Sequence, residues 1–263
     1  MFGTHPSGAS MRRALVVLAL PCAAQEADLP LALNLPTTDS LEAWQPAIRF
    51  THRFLESARN HAKDWYGWDG GNYAGVGLDL GLGRGLNGQV YRTSDGKTVV
   101  LALQQRLLKS ADFGIAVRVE RFDETVQRAS YSYGTVGISG AALQLPVEFK
   151  RGGFTVAVVP TWLSRSSTRE GGFATAAVGL RWTIVEQHAL LAEYYPRPSR
   201  LDGAKYEQGW SLGYRFATRN HRFTILGTTS NGSTAHQVLG GDYGGGPRRS
   251  GEWTFGFNLV RLL

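Results

Sequence analysis

Apolar and polar residues alternate at period two along most of the chain after residue 45, in runs of about eight to twelve residues. Residues 210 to 216 show the pattern clearly, because one face is apolar and the other is small or charged. The first face carries Trp210, Leu212, Tyr214 and Phe216, and the second carries Ser211, Gly213 and Arg215. Similar alternation occurs at 113 to 120, 174 to 182 and 252 to 259. It predicts strands with one buried face, and therefore an all-β protein.

Glycine-rich and polar turn signals divide this pattern into about twelve strands. The chain has no run of about 18 apolar residues, the length that a membrane-spanning helix needs. The predicted strands lie near residues 46–55, 72–82, 86–93, 97–108, 112–122, 132–145, 153–163, 172–184, 188–196, 207–217, 221–228 and 251–262.

The connections between these strands alternate in length. Short turns are predicted at 83–85, 109–111, 146–152, 185–187 and 218–220, and the connections between them are long and polar, except for the tight Asp95-Gly96 turn. Short turns at one rim, long loops at the other and an even strand number are typical of a transmembrane barrel. The sequence therefore predicts an antiparallel up-and-down transmembrane β-barrel. Alternation alone leaves a secreted soluble β-protein as the alternative.

The amino end has the features of an export signal. Arg12 and Arg13 precede the apolar run Ala14–Leu20, and Cys22–Ala24 offers a cleavage site. A lipid-modified Cys22 is the alternative interpretation of that site.

The predicted organisation is a signal peptide over 1–24, a periplasmic segment over 25–45 and a barrel domain over 46–263. Both Met1 and Met11 are compatible with the natural start. This organisation predicts a location in the bacterial outer membrane.

Composition narrows the chemistry further. Without Arg12 and Arg13, the 28 Lys and Arg residues fall to 26 against 21 Asp and Glu, a net charge of +5. No Lys or Arg run accompanies this mild charge, so we expect no nucleic-acid partner. Cleavage after Ala24 removes the single cysteine, which excludes disulfides and thiolate metal sites from the mature chain. We expect no cofactor and no metal.

Four segments of the sequence resemble one family. They are Ile48–Phe54, Ala192–Pro196, Thr228–Gly232 and Phe255–Arg261. Together they are similar to the bacterial β-barrel family DUF5777, a domain of unknown function, over roughly residues 44 to 263. The resemblance implies an outer-membrane-type barrel and implies no particular activity.

In such a barrel the polar strand faces line the lumen. Six cations and four anions are predicted to point inward, which favours either a weakly anion-preferring narrow channel or a set of structural salt bridges. A twelve-strand lumen is compatible with both. The predicted lumen charges are Arg49, Arg53, Asp79, Arg106, Arg118, Glu120, Arg181, Glu193, Arg215 and Glu252.

A lipid-acting hydrolase is the main alternative function. Ser230, Asn231 and His236 supply residue types used by lipases, but they share one glycine-rich connection, for which a flexible surface loop is the simpler interpretation. His52 has no second ligand-type residue at metal-binding spacing. We therefore predict no catalytic residue and no enzymatic activity.

Ten aromatic residues fall near predicted strand ends or in the first long loop, where a membrane-interface girdle is favoured over a sugar-stacking site. The prediction is thus a narrow passive channel or structural envelope protein, with a ligand-binding β-protein as a further alternative. Its expected partners are outer-membrane lipid, the barrel-assembly machinery and a small solute or ion. These aromatics are Trp65, Tyr66, Trp68, Tyr73, Trp162, Trp182, Tyr194, Tyr195, Trp210 and Trp253.

Overall fold

A computed structural model describes residues 32–127, 135–166, 171–196, 208–240 and 252–263, without the side chains of 60–64, 126–127 and 135–136. The predicted signal peptide lies outside these residues, as do Met1, Met11 and Cys22. In the described ranges no helix has the length and apolar character needed to cross a membrane.

Thirteen strands within the described ranges form one antiparallel sheet. They are β1 Pro46–Phe54, β2 Asn72–Gly83, β3 Leu86–Thr93, β4 Val99–Lys109, β5 Phe113–Gln127, β6 Thr135–Gln144, β7 Val147–Arg151, β8 Phe154–Leu163, β9 Phe173–Val185, β10 His188–Tyr195, β11 Gly209–Ala217, β12 His221–Thr228 and β13 Thr254–Leu262.

The sheet closes on itself. Strands β1 and β13, the first and last, pair in antiparallel register from Ala47 opposite Leu262 to Arg53 opposite Gly256. Closure leaves no free sheet edge, which is the requirement for crossing lipid with strands. The predicted all-β, up-and-down barrel is confirmed. We call the end with the short connections the turn side and the opposite end the loop side.

The sixth barrel position differs from the prediction. Instead of one strand followed by a turn over 146–152, strands β6 and β7 occupy this position together, and both pair with β5 and β8. The ladder breaks at Pro146 because proline has no N–H to donate. The real turn is at Gly152, whose φ of 58° favours glycine, and Gly153. Twelve barrel positions are therefore built from thirteen strands.

The two strand faces are distributed as the alternation predicts. On β11, Leu212 is 56% exposed on the outer surface, while Ser211 is fully buried inside. Strand β9 repeats this with Val178 outside and Ala177 inside. Apolar residues on the outside match a lipid environment.

The barrel interior contains two segments that the sequence analysis placed elsewhere. Residues 32–41 belong to the predicted periplasmic segment, yet residues 33–41 are buried and hydrogen-bonded to inward-facing residues of the strands. Residues 230–240, predicted as a flexible surface loop, also fold inward and form the short helix α1, Ala235–Gly240. Strand alternation gave no signal for either segment because neither one is a strand.

Substituting Leu212 with arginine should lower the free energy of unfolding by about 2 to 4 kcal/mol, because this side chain faces outward halfway along β11. Chemical denaturation in lipid vesicles measures the change. Leu263, which is equally exposed but lies at the turn-side rim, provides the control: Leu263→Arg should cost at most about 1 kcal/mol. Equal costs at the two positions would contradict a lipid-facing Leu212.

Candidate functional site

The inner surface of the barrel and the segment of residues 32–45, which we call the inner segment, form the candidate site. The inner segment precedes β1 and enters the lumen from the turn side. Leu35 is followed by Pro36, which favours extended backbone, and the Asp39 N–H bonds the Thr37 hydroxyl at 3.2 Å in a local turn.

Glu193 on β10 is the main acceptor for this segment. Its carboxylate accepts the backbone N–H groups of Leu33 at 2.9 Å, Asn34 at 3.0 Å and Leu35 at 3.2 Å. Tyr195 donates its hydroxyl to the same carboxylate. Successive backbone N–H groups form a concave site for an anion, and here the wall of the barrel supplies that anion.

Asn34 joins the segment to two parts of the wall, β1 and β10. Its side-chain oxygen accepts from Arg53 on β1 at 2.9 Å, and its amide nitrogen donates to the Tyr195 hydroxyl at 2.9 Å. Arg53 also donates to Asn258 on β13 at 2.8 Å. Arg215 on β11 donates to the Ala32 carbonyl at 2.6 Å. The segment is thereby bonded to strands on several sides of the lumen.

A charged cluster holds the inner segment at the turn side. Lys150 on β7 lies 3.1 Å from a carboxylate oxygen of Asp39 in the segment and 3.2 Å from one of Glu148. The Thr38 hydroxyl donates to Glu148 at 2.5 Å. The side chain of Gln104 on β4 donates to the Thr37 and Asp39 carbonyls, each at 3.0 Å.

The remaining central charges bond to one another. Arg49 on β1 pairs with Asp79 on β2 at 2.8 Å, and Arg118 on β5 pairs with Glu120 at 2.6 Å. Gln89 on β3 joins the two pairs, since it donates to Asp79 and accepts from Arg118. All five side chains are buried, and hydrogen bonds offset part of the cost of removing their charges from water.

An apolar cluster lies inside the barrel toward the loop side. Val238 and Leu239 of α1 pack there with wall residues such as Phe122, and Leu35 of the inner segment belongs to the same cluster. The two inserted segments thus meet in one core inside the barrel. This core lies toward the loop side of the central charges.

The residues of the alternative hydrolase function, Ser230, Asn231 and His236, are buried inside the barrel. His236 is fully buried, with its ring stacked on Phe122 at 3.7 Å and its Nε2 atom 3.5 Å from Glu124. Ser230 is also fully buried, and its hydroxyl has no hydrogen-bond partner in the described part of the chain. No hydrogen bond therefore joins Ser230 to His236. The prediction of a flexible surface position for both is wrong, because their connection packs into the lumen.

Seven of the ten predicted lumen charges are buried in the two interior networks: Arg49, Arg53, Asp79, Arg118, Glu120, Glu193 and Arg215. The other three lie near the rims and are half-buried. Arg181 donates to Thr155 at 3.3 Å, and Arg106 lies beside Gly85 at the turn side. Glu252 precedes β13, which begins at Thr254 instead of the predicted residue 251.

Several residues of the site were not among the sequence predictions. Gln89 occupies an inward-facing position of β3, so the alternation alone could have identified it as a lumen residue. Asn34, Asp39 and the other contacts of the inner segment had no comparable signal, because that segment lacks a regular period.

The fold and its contents define a closed antiparallel β-barrel of the membrane-bound type, with two segments of its own chain inserted into the interior. The profile of DUF5777, described as a membrane-bound β-barrel domain, matches residues 147–263, somewhat under half of the chain. The predicted resemblance is confirmed over that range, which contains three of the four segments that suggested it.

Solved outer-membrane barrels resemble the chain at low sequence identity. The KdgM porin aligns with a TM-score of 0.52 at 8% identity, over 82% of this chain and 98% of that one. The NanC porin gives 0.47 at 6% identity, over 83% and 99%. Outer membrane phospholipase A from Escherichia coli gives 0.45 at 14%, over 90% and 95%. A search of curated proteins returned no match. The KdgM likeness supports the barrel fold and no activity.

Replacing Glu193 with glutamine should loosen the inner segment, because one of the two acceptor oxygens becomes an N–H donor facing backbone N–H groups. We expect local opening to become easier by about 2 kcal/mol, an approximately 30-fold faster amide exchange at residues 33–35. Hydrogen-exchange mass spectrometry of the refolded barrel measures it.

Glu120→Gln is the matched control, since Glu120 is equally buried but bonds Arg118 and not the inner segment. Exchange at residues 33–35 should be unchanged in this variant. Equal acceleration in both variants, or in neither, would contradict the role of Glu193 as the anchor.

Proposed function

We propose that this chain is an outer-membrane barrel that is closed at rest and serves as a structural envelope protein, without enzymatic activity. The observation that carries the proposal is the shared apolar cluster of Leu35, Val238 and Leu239, because it joins two inserted segments across the lumen. A solute path needs a continuous water-filled lumen. The cluster blocks such a path.

The energetic cost of opening supports a closed resting state. Fully burying a Val or Leu side chain contributes about 1.5 to 3 kcal/mol, so exposing these three costs roughly 5 to 9 kcal/mol. Each 1.4 kcal/mol changes a population about tenfold. Even without the hydrogen bonds of Glu193, the open state would be populated less than about once in a thousand.

A gated narrow channel is the second candidate, and a different observation favours it. The wall around the inner segment contains buried polar atoms that have no hydrogen-bond partner in the described ranges: Asn87 Nδ2, Gln104 Oε1, Glu120 Oε2 and both Gln144 amide atoms. Such atoms are costly in a closed interior and would be solvated in a water-filled one. The wall is therefore suited to contact water or a small polar solute if the inner segment leaves.

The hydrolase alternative receives no comparable support. A lipid substrate would have to reach Ser230 and His236 inside the barrel, and both are fully enclosed. The buried His236 imidazole, stacked on Phe122 beside Glu124, is better explained as part of the packing that holds α1 in place.

Planar-bilayer recording tests the closed state. The wild-type protein should insert without a steady current. The double variant Leu35→Asp/Leu239→Asp should conduct, because a carboxylate in each inserted segment opposes burial in the apolar cluster. Unboiled and boiled gel mobility verifies that each variant has formed a barrel.

Leu41→Asp is the control for introducing a buried charge, since Leu41 packs in a separate cluster at the turn side with Ala47 and Leu262. It should remain non-conducting. Steady wild-type single-channel currents would overturn the structural proposal and favour an open channel. Currents that begin only when a small anion is added would favour the gated one.

A further inference from the structure

A concave apolar groove of about 510 Å³ lies on the outer surface of β2 to β5. Gly88 forms its floor, since it lies in register between Leu80 on β2 and Leu103 on β4. The absence of a side chain at Gly88 leaves a gap among outward-facing leucines and valines. The groove is lined by Leu78, Leu80, Val90, Leu101 and Leu103.

Two arginines stand at the loop-side end of this groove. Arg121 on β5 lies opposite Leu101, and its side chain is 67% exposed. Arg92 on β3 is also exposed and lies opposite Val99, two residue pairs farther toward the loop side. Only β4 separates their strands, which are about 10 Å apart, and the two-residue offset along the strands brings the backbone separation to about 12 Å. Two long arginine side chains can converge on one anion over this distance.

The neighbouring acidic residue leaves these arginines available. Asp123 lies 3.6 Å from the Nε atom of Arg121, and both side chains are more than half exposed. The pairing uses Nε, so the two terminal nitrogens of Arg121 can still donate to a second anion. Exposed pairs of this kind contribute little stability.

Around β1 the outer surface of the loop-side rim carries an aromatic cluster. Phe54 and Trp68 contact each other at 4.9 Å, Trp68 and Phe255 at 5.8 Å, and Trp253 and Phe255 at 4.8 Å. An aromatic belt is the usual covering of a barrel at the membrane interface. Above the groove the exposed side chains are instead the cations Arg92 and Arg121. The change from aromatic to cationic residues indicates an anionic lipid headgroup at this position.

We infer that the surface of β2 to β5 binds one lipid A molecule, with an acyl chain in the Gly88 groove and a phosphate between Arg92 and Arg121. The inference rests on the proposed outer-membrane location, in which the long loops face outward. The leaflet on that side of a bacterial outer membrane is built from lipopolysaccharide, whose lipid A carries phosphates above several acyl chains. Arginine is suited to phosphate through paired, charge-assisted hydrogen bonds.

Native mass spectrometry of the detergent-solubilised full-length barrel with purified bis-phosphorylated lipid A tests the inference. We expect one retained lipid on the wild type, and about tenfold weaker retention for Gly88→Leu and for the double variant Arg92→Gln/Arg121→Gln. A Cβ at Gly88 would make only ordinary contacts, at 3.5 Å to Leu82 and 3.9 Å to Leu103. The variant therefore fills the groove without backbone strain.

Gly137→Leu is the matched control, because Gly137 faces outward on β6 with open space around it. It should retain lipid A like the wild type, whereas lipid A without phosphates should bind like the double variant. Equal retention by all variants, or equal retention of phosphatidylglycerol, would reduce the groove to general lipid contact and overturn the inference. Gel mobility verifies barrel formation, and retention is read independently of conductance.

Discussion

A backbone segment enclosed in a barrel must find acceptors for its N–H groups, because no sheet or helix supplies them there. Glu193 meets this need for three consecutive residues, 33 to 35. The carboxylate gains in the same contact, since burying it without donors would be costly. Each group therefore supplies what the other needs, acceptors for the N–H groups and donors for the carboxylate. This mutual dependence positions Leu35, and the position of Leu35 allows the two inserted segments to share one apolar cluster.

The interior is consequently layered like the core of a soluble protein. Ionic and hydrogen-bonded contacts hold the inner segment at the turn side, the Arg49 to Glu120 network crosses the middle, and apolar packing around α1 lies toward the loop side. Inward-facing side chains of the same set of strands contribute to each layer. The outward-facing residues of the strands face lipid. Any difference between a closed, a gated and an open barrel therefore depends on the inward-facing residues.

Sequence periodicity predicted the strands well because an antiparallel barrel imposes period two on both faces. Inward-facing Arg49, Asp79 and Arg118 followed from parity alone. Their network did not, because Gln89 joins charges on three other strands and strand parity carries no information about cross-strand partners. The interruption between β6 and β7 at Pro146 is predicted as a turn, because proline marks turns and interrupted strands equally.

The two inserted segments were beyond sequence reasoning for a further physical reason. Residues 32–45 and 230–240 have no period, and their composition matches that of exposed connections, so their burial depends entirely on partners distant in the chain. Leu33 and Glu193 are 160 residues apart, and Gln237 and Glu124 are 113 apart. A lumen wide enough for a chain segment but lined with buried polar groups must be filled by water or by protein. In this barrel the two inserted segments occupy part of that space, so the arrangement of the interior depends on these segments and not on the strand charges alone.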